Sequence, residues 1–276
     1  MIIIATVIYS EKRATVGTLD FGYLGAHNMS SHPSLGELQQ MVKAVIPPLS
    51  YNRHKGQAGR VGVIGGCREY TGAPYYAAIS SLRVGGDLAT VFCTRDAATA
   101  IKSYNPELIV LPYLDEGNAV ASVTAVLPRL HSLVIGPGLG RDTAVLTTTT
   151  KIIEAAKGRN MPVVIDADGL FLVTDNPSVI KNYRKAILTP NKVEFGRLYE
   201  KVDAIHTVVV DAIHIVVVDA IHFVAGMPFP LLFVERKPNP ENPVVSLKQL
   251  CQQLGNVTIV QKGEMDVISD GKNGKA

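Results

Sequence analysis

A chain of 276 residues that is 47% hydrophobic can bury the core of one large three-layer α/β domain or two small ones, and we read it as one. The net charge of +3 is spread over scattered Lys and Arg, so the basic stripe that neutralises a run of nucleic-acid phosphates is missing and nucleic acid is not an expected partner. No apolar run reaches the roughly 18 uninterrupted residues that span a bilayer, and the 3 cysteines (Cys67, Cys93, Cys251) form no C-x-x-C, which argues for a reducing compartment.

The apolar start Met1 to Ile8 is short and runs straight into Glu11, Lys12 and Arg13, which makes a poor secretory signal. A transit sequence is compatible with the first 35 residues, an N-terminal extension that matches nothing else in the chain. Ser34-x-x-Glu37 has the form of a capping box, and Leu35, Leu38, Met41, Val42 and Val45 follow at helical spacing until Pro47-Pro48, predicting a short amphipathic helix. From Arg60 onward β-branched runs alternate with helical patterns, the signature of repeated β-α units on a parallel sheet. The predicted strands are Val61 to Ile64, Leu88 to Cys93, Leu108 to Leu111, Leu133 to Ile135, Val163 to Ile165, Ala186 to Leu188 and Val257 to Val260. Helices are predicted over Gly72 to Val84, Ala119 to Leu127 and Ala144 to Ala156. Right-handed crossovers would carry all the strands' C-terminal ends to one side of the sheet, where ligands of open α/β folds bind.

Residues 202–225 are three nearly identical eight-residue units, VDAIHTVV, VDAIHIVV and VDAIHFVA. Solenoid units are longer, roughly 20 residues or more, so this reads as a local expansion in a loop. His206, His214 and His222 would share one face of an extended strand, a collinear row where a metal site needs converging ligands.

Four motifs end apolar runs. In GPGLGRD (Gly136 to Asp142) three glycines and a proline clear side chains from a strand end, so backbone amides there, with Gly138 close by, can meet a phosphate or a flat ring; Asp142 suits a helix cap. In DADGL, Asp166 and Asp168 offer hard oxygens to Mg²⁺ on a nucleotide, or else order the turn and cap the next helix. In TPNKVEF, Asn191 and Glu194 can read a polar ligand, or Asn191 can cap the helix through Leu198. In QKGEMD, Lys262 can meet a phosphate and Gly263 can turn beneath a base, with a hairpin leading into Val267 and Ile268 as the other reading. The glycine turn in Val61-Gly-Val-Ile-Gly-Gly66 is compatible with either an anion or plain packing, and Gly85-Gly86-Asp87 reads as structural.

These motifs, with KGQAGR (Lys55 to Arg60), EYTGAP (Glu69 to Pro74), SYNPELIV (Ser103 to Val110) and LGNVT (Leu254 to Thr258), closely resemble the eukaryotic ATP- or ADP-dependent NAD(P)H-hydrate dehydratases of the ribokinase-like superfamily. The resemblance runs from about Ile46 to Gly271 and implies a ribokinase-like three-layer α/β/α sandwich with a mostly parallel sheet over residues 36–276, with the repeat at residues 202–225 as an insertion. It implies ATP-dependent, Mg²⁺-assisted dehydration of NADH or NADPH hydrate in the cytoplasm or mitochondria; apolar sheet surface left exposed by a missing C-terminal part would in addition favour association, a homo-oligomer among the forms it could take. Gly140, Asn191, Lys192, Val193, Glu194, Phe195, Gly196 and Arg197 would contact the hydrated dinucleotide, and Lys262, Gly263, Glu264, Met265 and Asp266 would line the ATP site. Family members carry a further glycine-rich loop ending in Gly-Asp, which supplies an anion hole and a base. No such loop follows Asp266 before Ala276, so the expectation is a C-terminally truncated form with little activity of its own. Two other readings stay open: a silent dinucleotide-binding or subunit-associating form, and a ribokinase-fold kinase of a small alcohol or vitamin.

Overall fold

The computed structural model describes residues 54–205, 243–264, 266–272, 274 and 275, with Gln40 and Asn52. Apart from Gln40, which is helical, the helix predicted after Ser34 lies outside these residues, as do the histidines of the repeat and Met265. Two compact units emerge, one running to Leu172 and including Lys185–Thr189, the other formed by Val173–Arg184 and the chain from Pro190.

In the first unit, β1 (Arg60–Ile64), β2 (Leu88–Phe92), β3 (Ile109–Leu111), β4 (Ser132–Ile135), β5 (Val163–Ile165) and β6 (Ala186–Leu188) are all parallel, in the order β3-β2-β1-β4-β5-β6. Between them run α1 (Gly72–Arg83), α2 (Arg95–Tyr104), α3 (Ala119–Val126), α4 (Thr143–Gly158) and α5 (Asp168–Asp175), the last of which belongs to the first unit only as far as Leu172. The chain builds outward from β1 to β3, then returns to start β4 beside β1 and builds the other way. Right-handed crossovers therefore put α1 and α2 on one face and α3, α4 and α5 on the other. Packing agrees, since α1 contacts α2 and α3 contacts α4.

Strand alternation supplies both faces with apolar side chains. Val61, Val63, Val91, Val134 and Val164 join Ala78, Ala97 and Ile101 in one buried cluster beneath α1 and α2. On the opposite face a Cβ at Gly62 would come within 2.6 Å of Leu133, so glycine lets that leucine lie flat against β1. The sequence expectation omitted α2, whose pattern is carried by Ala97, Ala98 and Ile101. Alanine gives such a helix a narrow apolar stripe, and only its packing against β3 and α1 makes those positions buried.

In the second unit residues 192–205 are helical (α6), Pro243–Gln253 forms α7, and β7 (Thr258–Gln261), β8 (Val267–Ser269) and β9 (Gly274–Lys275) are antiparallel neighbours. Leu247, Leu250 and Cys251 are buried on the α7 face that packs on β7 and β8.

Candidate active site

The first unit changes winding direction between β1 and β4, and open α/β sheets bind ligands at the strand ends beside such a switch. Both strands end there in glycine. The β1 turn is a packing turn: the amide of Gly65 donates to the carbonyl of Phe92 at 2.9 Å and that of Gly66 to Gly138 at 3.0 Å. In GPGLGRD the glycines at 136, 138 and 140 have φ of 115°, 61° and 76°, which L side chains rarely adopt. A Cβ on Gly136 would overlap the Asp166 carbonyl and the Gly169 amide, and one on Gly138 would sit 2.6 Å from the carbonyl of Tyr70.

The loop spends its amides differently from the expected anion cradle. Gly136 donates to Ile64 at 2.9 Å and Leu139 to Gly136 at 3.0 Å, both inside the fold. The amide of Gly140 donates to Asp168 Oδ2 at 3.0 Å. The other oxygen of Asp168 lies 3.5 Å from Arg141 Nε, and the Arg141 guanidinium carbon sits 4.4 Å from the centroid of the Phe171 ring. Asp168 is thus tied to the glycine loop. Asp142 takes the predicted capping role, its Oδ1 accepting from Ala144 at 2.9 Å and Val145 at 3.0 Å at the start of α4. The carboxylate of Asp87 accepts from the amide of Ala58 at 2.6 Å, so the Gly85-Gly86-Asp87 turn anchors the chain entering β1.

Arg141 and Phe171 were not singled out from the sequence. Nothing in the linear pattern links them; they meet because β4 and β5 are neighbours and their exits lie side by side.

In the second unit Asn191 opens α6 in a reciprocal capping box. Its Oδ1 accepts from the amides of Val193 at 2.9 Å and Glu194 at 3.0 Å, while its own amide donates to Glu194 Oε2 at 2.8 Å. The cap predicted as one reading is formed, and it leaves the Asn191 Nδ2 donor outside the box. Phe195 is 4% exposed with its ring 6.0 Å from that of Tyr199, so its side chain packs in the interior. Lys192, Val193 and Arg197 are exposed.

The β7–β8 connection is the predicted hairpin, with Lys262, Gly263, Glu264 and Asp266 in its loop. Asp266 Oδ1 accepts from the amide of Gly263 at 3.1 Å and closes that loop, while Glu264 and Asp266 are exposed. Asn191 and Lys262 pair in a parallel bridge, with the amide of Lys262 donating to the Pro190 carbonyl at 2.8 Å. The stretches that the resemblance assigned to the dinucleotide and to ATP are therefore neighbours along one edge.

A sequence profile described as NAD(P)H-hydrate dehydratase matches residues 61–275. The chain belongs to this family. It is 52% identical over 97% of its length to the Homo sapiens protein named ATP-dependent (S)-NAD(P)H-hydrate dehydratase, covering 67% of that protein. Against the Bos taurus protein of the same name it is 51% identical over 89% of its length and covers 65% of the relative, and against the Danio rerio one 50% over 98%, covering 71%. The chain thus spans about two thirds of the length of the curated relatives it matches. Among solved structures, a hypothetical protein from Streptococcus mutans superposes with a TM-score of 0.61 at 22% identity, over 85% of this chain and 70% of that one. A ribokinase-like superfamily protein from Enterococcus faecalis superposes with a TM-score of 0.58 at 21% identity, over 81% of this chain and 64% of that one. The fold is ribokinase-like.

Proposed function

We propose that the protein is an ATP-dependent (S)-NAD(P)H-hydrate dehydratase, a hydro-lyase that returns hydrated NADH or NADPH to the intact cofactor. The reading is carried by the Asn191–Lys262 bridge, which sets the dinucleotide stretch (Asn191 to Arg197) beside the ATP stretch (Lys262 to Asp266) at the ends of neighbouring backbone segments. The names of relatives about half identical to this chain support it.

In the reaction ATP transfers its terminal phosphoryl group to the hydroxyl on the hydrated nicotinamide ring. Loss of that phosphate with a proton from the adjacent carbon restores the double bond, giving NAD(P)H, ADP, phosphate and a proton. The chain's own part is to bind and align. Lys262, whose backbone amide donates to the Pro190 carbonyl at the bridge, is the residue whose ammonium would meet nucleotide phosphates in this reading. The Asn191 Nδ2 donor and the exposed N-terminal turn of α6 meet polar atoms of the dinucleotide. Mg²⁺ travels with the nucleotide. Asp168 does not fit the ion as a ligand, because one oxygen accepts from Gly140 and the other faces Arg141. In the first unit, Gly138 follows β4 at the switch point and Asp166 follows the neighbouring β5, the strand ends where a ligand of an open α/β sheet would lie. Three cysteines with free thiols support placement in the reducing cytoplasm or mitochondria.

The test is calorimetric titration of the 276-residue chain with NADPH and with ATP, followed by incubation with NADH hydrate, ATP and Mg²⁺ while NADH absorbance is recorded. Binding of both ligands and ATP-dependent regain of NADH is the expected result. Binding without regain would favour the silent dinucleotide-binding reading. Phosphorylation of a vitamin alcohol with no action on the hydrate would replace both.

A further inference from the structure

We infer that Asp168 is a positioning residue that fixes the Gly140–Arg141 backbone where the dinucleotide is held, an inference that rests on the functional reading above. Its two oxygens do two different jobs. Oδ2 accepts from the amide of Gly140 at 3.0 Å, and Oδ1 lies 3.5 Å from Nε of Arg141. Gly140 adopts φ of 76°, a conformation that an L residue resists and that glycine takes as one of many, so a tie from outside the loop narrows its freedom to that one shape. The carboxylate is that tie.

The geometry of α5 explains why one acid reaches both groups. Asp168 and Phe171 are three residues apart and so share a helix face. Arg141 spans them, with Nε toward the carboxylate and its guanidinium carbon 4.4 Å from the ring centroid. The Asp168 side chain is only 21% exposed, so its bonds to the loop act in a medium poorer in water than the surface. The Arg141 side chain is 61% exposed, which leaves its guanidinium within reach of an anionic group of the ligand. Asp168 thus acts through Gly140 and Arg141, holding the loop in a shape that the bound molecule does not have to impose.

A metal-ligand role for the same residue predicts a different signature. A Mg²⁺ ligand, once removed, raises the Mg²⁺ needed for ATP binding and leaves NADPH binding alone. A positioning residue does the reverse.

The experiment compares wild type, Asp168→Ala and Asp168→Asn, using NADPH and ATP with Mg²⁺ as calorimetric probes and amide hydrogen exchange without ligand. In Asp168→Ala the Gly140 amide exchanges faster while β4 and β5 keep their protection. NADPH affinity falls about tenfold with ATP affinity changed less than about twofold, the scale of one lost charge-assisted hydrogen bond. Asp168→Asn recovers most of the affinity, because its side-chain carbonyl still accepts from Gly140. Unchanged Gly140 exchange in Asp168→Ala, or equal weakening of NADPH and ATP, overturns the inference. If wild type takes up no NADPH, the functional reading fails by itself, and the Gly140 exchange rates still decide whether Asp168 holds the loop.

Discussion

Asn191 and Lys262 sit opposite each other in a parallel bridge, the Lys262 amide donating to the carbonyl of Pro190 at 2.8 Å. One partner caps α6 and the other begins the β7–β8 hairpin loop, so a helix N-terminus and a lysine-bearing loop are fixed side by side by backbone alone. Helix starts favour anionic ligands, and so does an ammonium group.

Capping and ligand contact can be separated at Asn191. Asn191→Ala removes the acceptor for two amides and lowers stability by about 1 kcal/mol. Asn191→Asp keeps that acceptor and unfolds within a few tenths of a kcal/mol of wild type, but it lacks the Nδ2 donor. Thermal unfolding combined with NADPH titration resolves the two roles, and the aspartate variant is expected to be as stable as wild type and weaker in binding.

The glycine loop after β4 has little tolerance. Gly136→Ala places a Cβ against the Asp166 carbonyl in a residue with φ of 115°, and the cost is on the order of 3 kcal/mol or more. Gly158→Ala, at the end of α4 with open space around it, stabilises by about 0.5–1 kcal/mol. Urea titration of both variants checks the contrast, and similar midpoints would remove the steric account of the loop.

Asp142 caps α4 with two hydrogen bonds, so Asp142→Ala costs about 1 kcal/mol. Asp142→Asn retains the acceptor and loses only the charge at the helix start, about 0.3–1 kcal/mol, an amount that added salt shrinks. Denaturation at low and high salt distinguishes cap from charge.

Burial pushes the thiols of Cys93 and Cys251 up to about 12 from the ordinary 9.0. The unfolded chain therefore releases these protons first, and the stability they confer is complete below about 9 and lost as pH rises toward 12. Across that window each thiol lowers stability by on the order of 1 kcal/mol per pH unit. Urea unfolding of wild type and Cys251→Ala at about pH 8 and about pH 10 measures this, the wild type falling more steeply because the variant lacks one such group.

Much of the first unit was legible because a parallel strand buried on both faces is a short β-branched run, and a run of that kind needs no partner to be recognised. Val163–Ile165 and Ala186–Leu188 occur with the expected bounds. The helix Arg95–Tyr104 was not legible, since the burial of Ala97 and Ala98 depends on the strands beneath them. At the candidate site, local bonds were readable: Asp142 and Asn191 cap helices within three residues of themselves. Contacts between distant segments were not. The amides of GPGLGRD looked available to an anion in sequence, yet in the fold Gly136 and Gly140 give theirs to Ile64 and Asp168.

Family, β-α alternation and the residues that follow the strands can be read along the chain, because motif order, hydrophobic period and capping chemistry are all written within a few residues of one another. The ties of Asp168 to Gly140 and Arg141, and of Asn191 to Lys262, emerge with the fold. Both relations join segments far apart in the chain, whose proximity follows from which strands pair and in which direction the sheet is wound.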